Sequence, residues 1–233
     1  MKVTRRSFVG SIGTGAAALG TLGVGSSNGT AEAQLVYLPA DWHAAEFDKL
    51  IKLKVRIKQV FDIEAIDGGQ FVSPMKNSLN ALHFGFNIPV DQIKIVGGLR
   101  GQANLLNFDD SMWEKYRLGE FTKIDDPKTG KPATRNIFYP KKGGTSSDPQ
   151  DRTSTYQDTS IEALMERGVV LLSCHNATER VVEGLIKRFS LTAPIEDIVH
   201  DLQTHTLPGV ITVPAMVAAV AMLQSEGHYA YSI

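Results

Sequence analysis

The stretch of sequence that decides the fold is residues 169–189, VVLLSCHNATERVVEGLIKRF. Its first part, 169–173, is apolar on both faces, which is typical of a strand buried in a parallel sheet. Residues 176–189 then repeat apolar side chains at helical spacing, which predicts a helix with one face against a core. A buried strand that leads directly into a helix is the unit from which α/β proteins are built.

The same alternation continues on both sides of this stretch. Residues 53–61 alternate apolar with basic side chains, as in a half-exposed strand, and 92–101 predict a strand that runs into a glycine-rich turn. Strands that alternate with helices predict an α/β fold with three layers, α/β/α, around a mostly parallel sheet. The remaining predicted elements are helices at 73–86, in the second half of 103–118, and at 159–168, 192–205 and 214–227, and strands at 209–213 and 228–233.

Residues 119–158 have a different character. Prolines, glycines and charges are frequent there and show no periodicity, and only 136–139, NIFY, has the apolar content of a short strand or an anchor. A structureless loop of this length is unusual inside a compact domain, so the segment is a lid, a disordered stretch or an ordered excursion. Because 136–139 have apolar side chains to bury, we expect an ordered excursion within a single domain that spans 34–233.

Residues 1–33 predict an export signal rather than a part of the fold. Arg5 and Arg6 lie in a twin-arginine context, and a weakly apolar stretch leads from them to the A-x-A cleavage pattern of residues 31–33. That stretch is too diluted by glycine, alanine and threonine to span a membrane. We therefore expect a periplasmic or otherwise exported protein with no membrane attachment after signal removal. The formal net charge of −1 favours neither nucleic acid nor an anionic membrane as a partner.

Cys174 is the one cysteine of the chain, so it cannot close an internal disulfide. It is predicted to lie between a buried strand and the next helix, where ligands bind in open α/β sheets. Asn176 is predicted to be the N-cap of that helix, with Glu179 completing a capping box. The helix N-terminus favours the thiolate form, and His175 could add to this effect. A nucleophilic thiol is one interpretation, and a small buried hydrophobic residue is the other.

Three further residues are candidates for a binding site. Gly97 and Gly98 belong to a G-G-x-x-G run that resembles an anion-cradling loop, or that simply allows a tight turn between strand and helix. Asn77 lies on the first predicted helix, from which its amide could reach a crevice. A metal site would have to combine Cys174 and His175 with distant histidines at no recognisable ligand spacing, so we predict neither metal nor cofactor. The histidines concerned are His200, His205 and His228.

The last third of the chain resembles the DsrE/DsrF-like family of small α/β proteins linked to sulfur metabolism. The resemblance lies in GVVLLSCHNA, 168–177, and in LPGVITVPAMVAAVAMLQSEGHYAYSI, 207–233. It implies a three-layer fold, trimers or hexamers, and a cysteine at the position of Cys174 that carries persulfide sulfur in sulfur-relay members. The excursion and the export signal depart from the family pattern. The first half is similar in MKNSLNALHFGF, 75–86, IKIVGGLRGQANLL, 93–106, and MWEKY, 112–116.

Three classes of function stay open from the sequence. The first is an exported protein that binds or transfers sulfane sulfur through Cys174, with the helix terminus at Asn176 stabilising the anionic sulfur. The second is a non-enzymatic module in which Cys174 is structural and a crevice near Gly97 and Asn77 holds a small ligand or a peptide of another protein. The third is a metal or redox-cofactor protein.

Overall fold

A computed structural model describes residues 42–232 of the 233-residue chain. The predicted export signal therefore lies outside the described residues. The helices are α1 (Ala44–Lys52), α2 (Val72–Asn80), α3 (Asp110–Lys115), α4 (Leu118–Thr122), α5 (Ile161–Glu166), α6 (His175–Phe189), α7 (Ile195–Thr204) and α8 (Met216–Ser225). The strands are β1 (Ile57–Ile63), β2 (Ile93–Leu99), β3 (Asp125–Asp126), β4 (Lys131–Pro132), β5 (Val170–Cys174), β6 (Ile211–Val213) and β7 (Ala230–Ser232).

Five of these strands form one sheet in the order β6-β5-β2-β1-β7, and every pairing in it is parallel. The register places Ile57 beside Ile93 and Val96 beside Val170. Strands β3 and β4 form a separate antiparallel hairpin. Parallel neighbours require crossover connections, and α helices provide them. The prediction of an α/β fold with a mostly parallel sheet is confirmed.

The sheet separates two hydrophobic cores, which gives the three layers. On one face, α1 and α8 pack against Val60, Val96 and Leu172 of the central strands. On the other face, α2, α3, α5, α6 and α7 pack against residues such as Ile95 and Leu171. Neighbouring residues of one strand, such as Ile95 and Val96, thus belong to different cores, because successive side chains of a strand point to opposite faces.

The first part of the described chain differs from the prediction in one strand boundary and one helix. The strand predicted at 53–61 begins only at Ile57, and residues 53–56 form the connection from α1. Helix α1 was not predicted, although Phe47 and Leu50 are buried one turn apart. The helix has nine residues, and only two of its side chains are buried, so the sequence shows no long apolar repeat there.

Residues 119–158 pack against the main core over part of their length. Ile137, Phe138 and Tyr139 lie against the α2–α6 side of the sheet, although their segment forms a turn and not the alternative short strand. Asn136 is 1% exposed and donates its side-chain amide to the carbonyl oxygen of Leu106 at 2.9 Å. The segment 136–139 therefore acts as an anchor of the excursion.

Candidate functional site

The carboxyl ends of β5 and β6 form a switch point in the topology. Strand β5 leads into α6, whose Val182 and Leu185 lie in the core of one sheet face. Strand β6 leads into α8, whose Val220 and Leu223 lie in the core of the opposite face. Adjacent parallel strands whose connections leave to opposite faces open a crevice between them, and ligands of open α/β sheets bind there.

Cys174 lies at this switch point. It is the last residue of β5 and the N-cap residue of α6, with extended backbone angles. Its Sγ accepts a hydrogen bond from the backbone N–H of Met216, the first residue of α8, at 3.3 Å. The residue is 5% exposed. The sulfur therefore lies at the N-terminal end of α8, with a backbone N–H directed at it.

Asn104 holds the strand–helix junction at Cys174, and sequence reasoning missed it. The residue is fully buried, and its Oδ1 accepts hydrogen bonds from the backbone N–H of Cys174 at 2.8 Å and from Oγ of Ser173 at 3.2 Å. Its Nδ2 donates to Oγ1 of Thr178 at 2.9 Å, and Thr178 donates to the carbonyl oxygen of Cys174 at 3.1 Å. The two amides inside the otherwise apolar run ANLLNF, 103–108, were the signal that could have revealed it.

His175 lies beside the thiol in sequence and contacts α7 on the opposite side of the sheet from α8. Its Nδ1 is 2.6 Å from Nε2 of Gln203 on α7, and its Nε2 is 3.5 Å from Oε1 of Glu179. Helix α7 packs on the face opposite to α8, whereas Cys174 bonds to Met216 of α8. The contact with Gln203 places the imidazole next to α7.

The prediction that Asn176 caps α6 was wrong, and so was the capping box with Glu179. The helix begins one residue earlier, at His175, so Cys174 is the N-cap and Asn176 is the second helical residue. The exposed Asn176 has a different contact, because its backbone N–H donates to the carbonyl oxygen of Pro214 at 3.2 Å. That bond joins the start of α6 to the segment between β6 and α8.

Gly97 and Gly98 are not part of a turn, which corrects both interpretations of the G-G-x-x-G run, the tight turn and the anion-cradling loop. Both are buried residues of β2, and the chain turns only at Gly101, which has a φ of +54°. A Cβ atom on Gly97 would lie 2.8 Å from Cδ2 of Leu171, and one on Gly98 would lie 2.7 Å from Sδ of Met216. Gly98 therefore makes room for the first residue of α8, the one that bonds to the Cys174 sulfur.

Asn77 belongs to a separate cleft at the carboxyl end of β1. This cleft has a volume of about 550 Å³ and is lined by Asn77, Phe71 and the carboxylate residues Asp62, Glu64 and Asp67, among others. Cys174 is not among its lining residues. This cleft thus contains Asn77 without the thiol.

One guanidinium balances part of the acidic charge of this cleft. Arg100, just beyond β2, contacts Asp62 at 2.8 Å and Glu64 at 2.7 Å. The hydrogen bond to Asp62 is the main cause that raises the pKa of Arg100 above its ordinary value. Tyr231 of β7 also donates its hydroxyl to Asp62, at 3.2 Å. The ends of β1, β2 and β7 therefore share one polar network.

A second cleft, of about 560 Å³, lies between α3 and α7 and contains His200. Here Asp201 accepts hydrogen bonds from Lys115 at 2.8 Å and from the hydroxyl of Tyr116 at 2.5 Å. Burial opposes the charged form of Asp201, but these two bonds outweigh it and lower its pKa. Over residues 42–232, no group of three His, Cys, Asp or Glu side chains is arranged to hold a metal ion.

The fold and the switch point define the molecule as a three-layer α/β protein with an open parallel sheet and a thiol at its carboxyl edge. In the described part of the chain, every helix is too short or too polar to cross a membrane. No protein-family model, curated protein or solved structure matches the chain.

Proposed function

We propose that the protein binds and carries sulfane sulfur on Cys174, the function that its resemblance to DsrE/DsrF-like proteins implies. The observation that supports this proposal is the hydrogen bond from the Met216 N–H to the Cys174 sulfur at the switch point of the sheet. A persulfide carrier needs a thiolate, and an N–H donor at a helix N-terminus stabilises that anion before and after it receives sulfur.

The transfer step is a displacement at sulfur. The Cys174 thiolate attacks the outer sulfur of thiosulfate, the sulfur–sulfur bond of the donor breaks, and sulfite leaves with the bonding electron pair. The product is a persulfide anion on Cys174, so the total charge is conserved and no other oxidant or reductant is required. A later acceptor thiolate takes the outer sulfur by the same kind of displacement and restores the Cys174 thiolate.

Intact-mass measurement after incubation with thiosulfate or polysulfide tests the proposal. We expect a gain of about 32 Da for each sulfur atom carried, reversed by a thiol reductant and absent in Cys174→Ser. Gly85→Ala is the matched control and should label like the natural protein, because a Cβ atom there would meet no heavy atom within 4 Å. A natural protein that gains no mass from any donor would contradict sulfur transfer.

A second candidate function is supported by the burial of the thiol and by the cleft beside β1. Cys174 is only 5% exposed, which also suits a structural cysteine, and the separate cleft of about 550 Å³ has the size of a small-molecule site. In this alternative the protein is a non-enzymatic binding module, and Asn77 orients a ligand in the cleft at the end of β1.

Native alkylation separates the two candidates. A sulfur carrier has to open the crevice at Cys174, so iodoacetamide should modify the folded protein well before the protein unfolds. A structural thiol should react only at the rate of global unfolding. If only the second behaviour is seen, amide chemical shifts in the presence of a polar fragment library should move around Asn77, with residues of the α3–α7 cleft as the internal control.

A further inference from the structure

Helix α8 has an apolar outer face as well as an apolar inner face. Its sequence, MVAAVAMLQS, contains no charged residue. The inner residues Met216, Ala219, Val220 and Leu223 are buried, whereas Val217 is 72% and Met222 45% exposed. Ala218 and Ala221 are exposed beside them. A helix that is apolar all round is normally covered on all sides, so this outer face is unusual for a surface helix.

We propose that the outer face of α8 is the interface of a two-fold homodimer, in which α8 packs antiparallel against α8 of a second copy. The α8 stripe, defined as Val217, Ala218, Ala221 and Met222, is symmetric in size about its midpoint. Around a two-fold axis between residues 219 and 220, Val217 meets the partner's Met222 and Ala218 meets the partner's Ala221. The small central pair lets the two helix backbones approach closely, and the larger side chains close both ends.

The chemistry of the α8 stripe fits a second copy of the chain better than a lipid surface. Helices that lie on membranes combine an apolar face with a basic polar face, and α8 has no basic residue. In a two-fold contact the same patch of both copies meets, so a charged residue near the axis would face its own like charge. The uncharged α8 stripe avoids this repulsion.

The area of the interface requires α1 to take part. A helix of ten residues is about 15 Å long, and a stable interface buries about 800 Å² on each partner, more than one such helix supplies. Helix α1 packs on the same sheet face as α8. Both helices precede neighbouring parallel strands, β1 and β7, so they run in the same direction.

The charges of α1 suit an antiparallel partner. Exposed acidic residues, Glu46 and Asp48, lie toward its start, and basic residues, Lys49 and Lys52, lie toward its end. Within one copy they pair along the exposed helix, Lys49 with Glu46 at 4.0 Å and Lys52 with Asp48 at 2.5 Å, and such exposed pairs leave the charges open to a second partner. A two-fold axis reverses the partner's helices, so the acidic part of α1 approaches the basic part of the other copy. This order of charges makes the rim of the proposed interface self-complementary.

Sedimentation velocity of the full chain over a dilution series tests the proposal. We expect the natural protein to be a dimer that dissociates on dilution, and Val217→Glu to raise the dissociation constant about tenfold or more, because each copy would bury a carboxylate against methionine. Val217→Ile should keep the dimer. Phe86→Glu is the matched control, because Phe86 is 70% exposed and lies far along the chain, after α2.

Each result decides the matter. A natural protein that stays monomeric at the highest concentration overturns the proposal, and so does a dimer that Val217→Glu leaves as stable as before. An assembly larger than a dimer, such as the trimer or hexamer expected from the family resemblance, supports it only if Val217→Glu splits that assembly. Since Val217 is exposed, circular dichroism should show that Val217→Glu folds normally.

Discussion

Cys174 contacts two helices, one through its backbone and the other through its sulfur atom. Its backbone is the N-cap of α6, while its sulfur accepts the first N–H of α8. Serine, threonine, aspartate and asparagine are the usual N-cap residues, because their side-chain oxygen accepts a hydrogen bond from their own helix. Here no side-chain cap bond of that kind is made to α6, and the side chain is directed to another helix. Cysteine at this position is therefore a weaker N-cap for α6 than serine or asparagine would be, but it places a sulfur atom at the start of α8.

Asn104→Ala should loosen this junction. The substitution removes the acceptor of the Cys174 backbone N–H and the donor to Thr178, both buried, and should lower the free energy of unfolding by about 2–4 kcal/mol. Iodoacetamide should then modify Cys174 in the folded protein at least several times faster. Asn80→Ala is the control, because its side chain bonds to Tyr156 and Arg167 instead, and it should leave the alkylation rate unchanged. Equal rates in both variants would show that Asn104 does not hold the thiol in place.

Asp158 provides a pH-dependent anchor for the excursion. Its Oδ2 accepts the backbone N–H groups of Lys142 at 2.7 Å and Gly143 at 2.8 Å, and its Oδ1 accepts that of Ser160 at 2.9 Å. Burial opposes the charge, but these bonds outweigh it and lower the pKa of Asp158. The stabilisation is therefore complete above the ordinary carboxyl pKa, about 4, and is lost as the pH falls through the lower pKa of the folded state.

Asp158→Asn should lower the free energy of unfolding by about 1–3 kcal/mol at neutral pH, since the amide keeps one acceptor oxygen and its nitrogen cannot accept the bonds of the other. Urea unfolding at pH 7 and in acid measures the effect, and the difference from the natural protein should shrink in acid. The control is Asp91→Asn at an exposed carboxylate, which should change stability little at either pH. A difference that stays constant with pH would mean that the carboxylate charge of Asp158 does not stabilise the fold.

The position of Cys174 could be predicted from the sequence, but its hydrogen-bond partners could not. Its place at the end of a buried strand followed from local patterns on both sides, which is why position and element type were correct. Asn104 lies 70 residues away in the chain and Met216 42 residues away. No local pattern encodes such separations, and the glycines at 97 and 98 were misassigned because a glycine pair inside a strand resembles a turn until its packing partners are known.

At the scale of elements, a close backbone contact holds the excursion to the rest of the molecule. Gly119 in α4 lies against Ala133, just after the hairpin of β3 and β4, and a Cβ atom on it would overlap the backbone N and O atoms of Ala133. Backbone atoms cannot rotate away as a flexible side chain can. Gly119→Ala should therefore lower the free energy of unfolding by about 1–3 kcal/mol, because the hairpin has to move to admit the methyl group.

Gly85→Ala provides the matched control for that substitution. A Cβ atom on Gly85 would have no heavy atom within 4 Å apart from its chain neighbours, and its φ is not positive. Alanine there should be neutral or stabilise by up to about 1 kcal/mol, because it restricts the unfolded chain. Thermal unfolding of both variants measures the contrast. Equal melting temperatures would show that the hairpin shifts at no cost.

The same scale shows why some elements were predicted and others not. Helix α6 was predicted at 176–189 and extends over His175–Phe189, because its apolar repeat covers four turns. The short hairpin of β3 and β4 has two residues in each strand, too few for any periodicity to indicate it. Helix α1 has only two buried side chains, so tertiary contacts with β6 and α8, and not its own pattern, select it.

At the scale of the whole molecule, the two ends of the described chain are tied to the sheet. His43, before α1, covers the outer edge of β6: its N–H donates to the carbonyl oxygen of Thr212 at 3.1 Å, and its Nδ1 accepts the Thr212 N–H at 3.0 Å. The residue thus pairs with β6 much as another strand would, and it protects an edge that could pair with other chains. At the opposite edge, β7 pairs with β1.

Tyr229 connects the two ends of the chain. It lies just before β7, is 3% exposed, and donates its hydroxyl to the carbonyl oxygen of Leu50 in α1 at 3.1 Å. Burial raises the pKa of Tyr229 to about 12. The folded state therefore holds the phenolic proton more tightly than the unfolded state, whose tyrosines titrate near about 10.

The alkaline stability of the protein should therefore depend on Tyr229. Its stabilising contribution is complete below the unfolded pKa of about 10 and is lost as the pH rises through the folded pKa. The free energy of unfolding that is lost over this range is about 3 kcal/mol. Tyr229→Phe should cost about 1 kcal/mol at neutral pH, for the lost hydrogen bond, and should flatten the loss of stability above pH ~10. Urea unfolding from neutral to alkaline pH compares the two proteins. Tyr156→Phe is the control, because Tyr156 packs against Phe84 and belongs to neither α1 nor β7. If Tyr229→Phe and the natural protein lose stability in parallel up to pH ~12, the hydrogen bond from the Tyr229 hydroxyl to α1 does not make stability depend on the protonation of Tyr229.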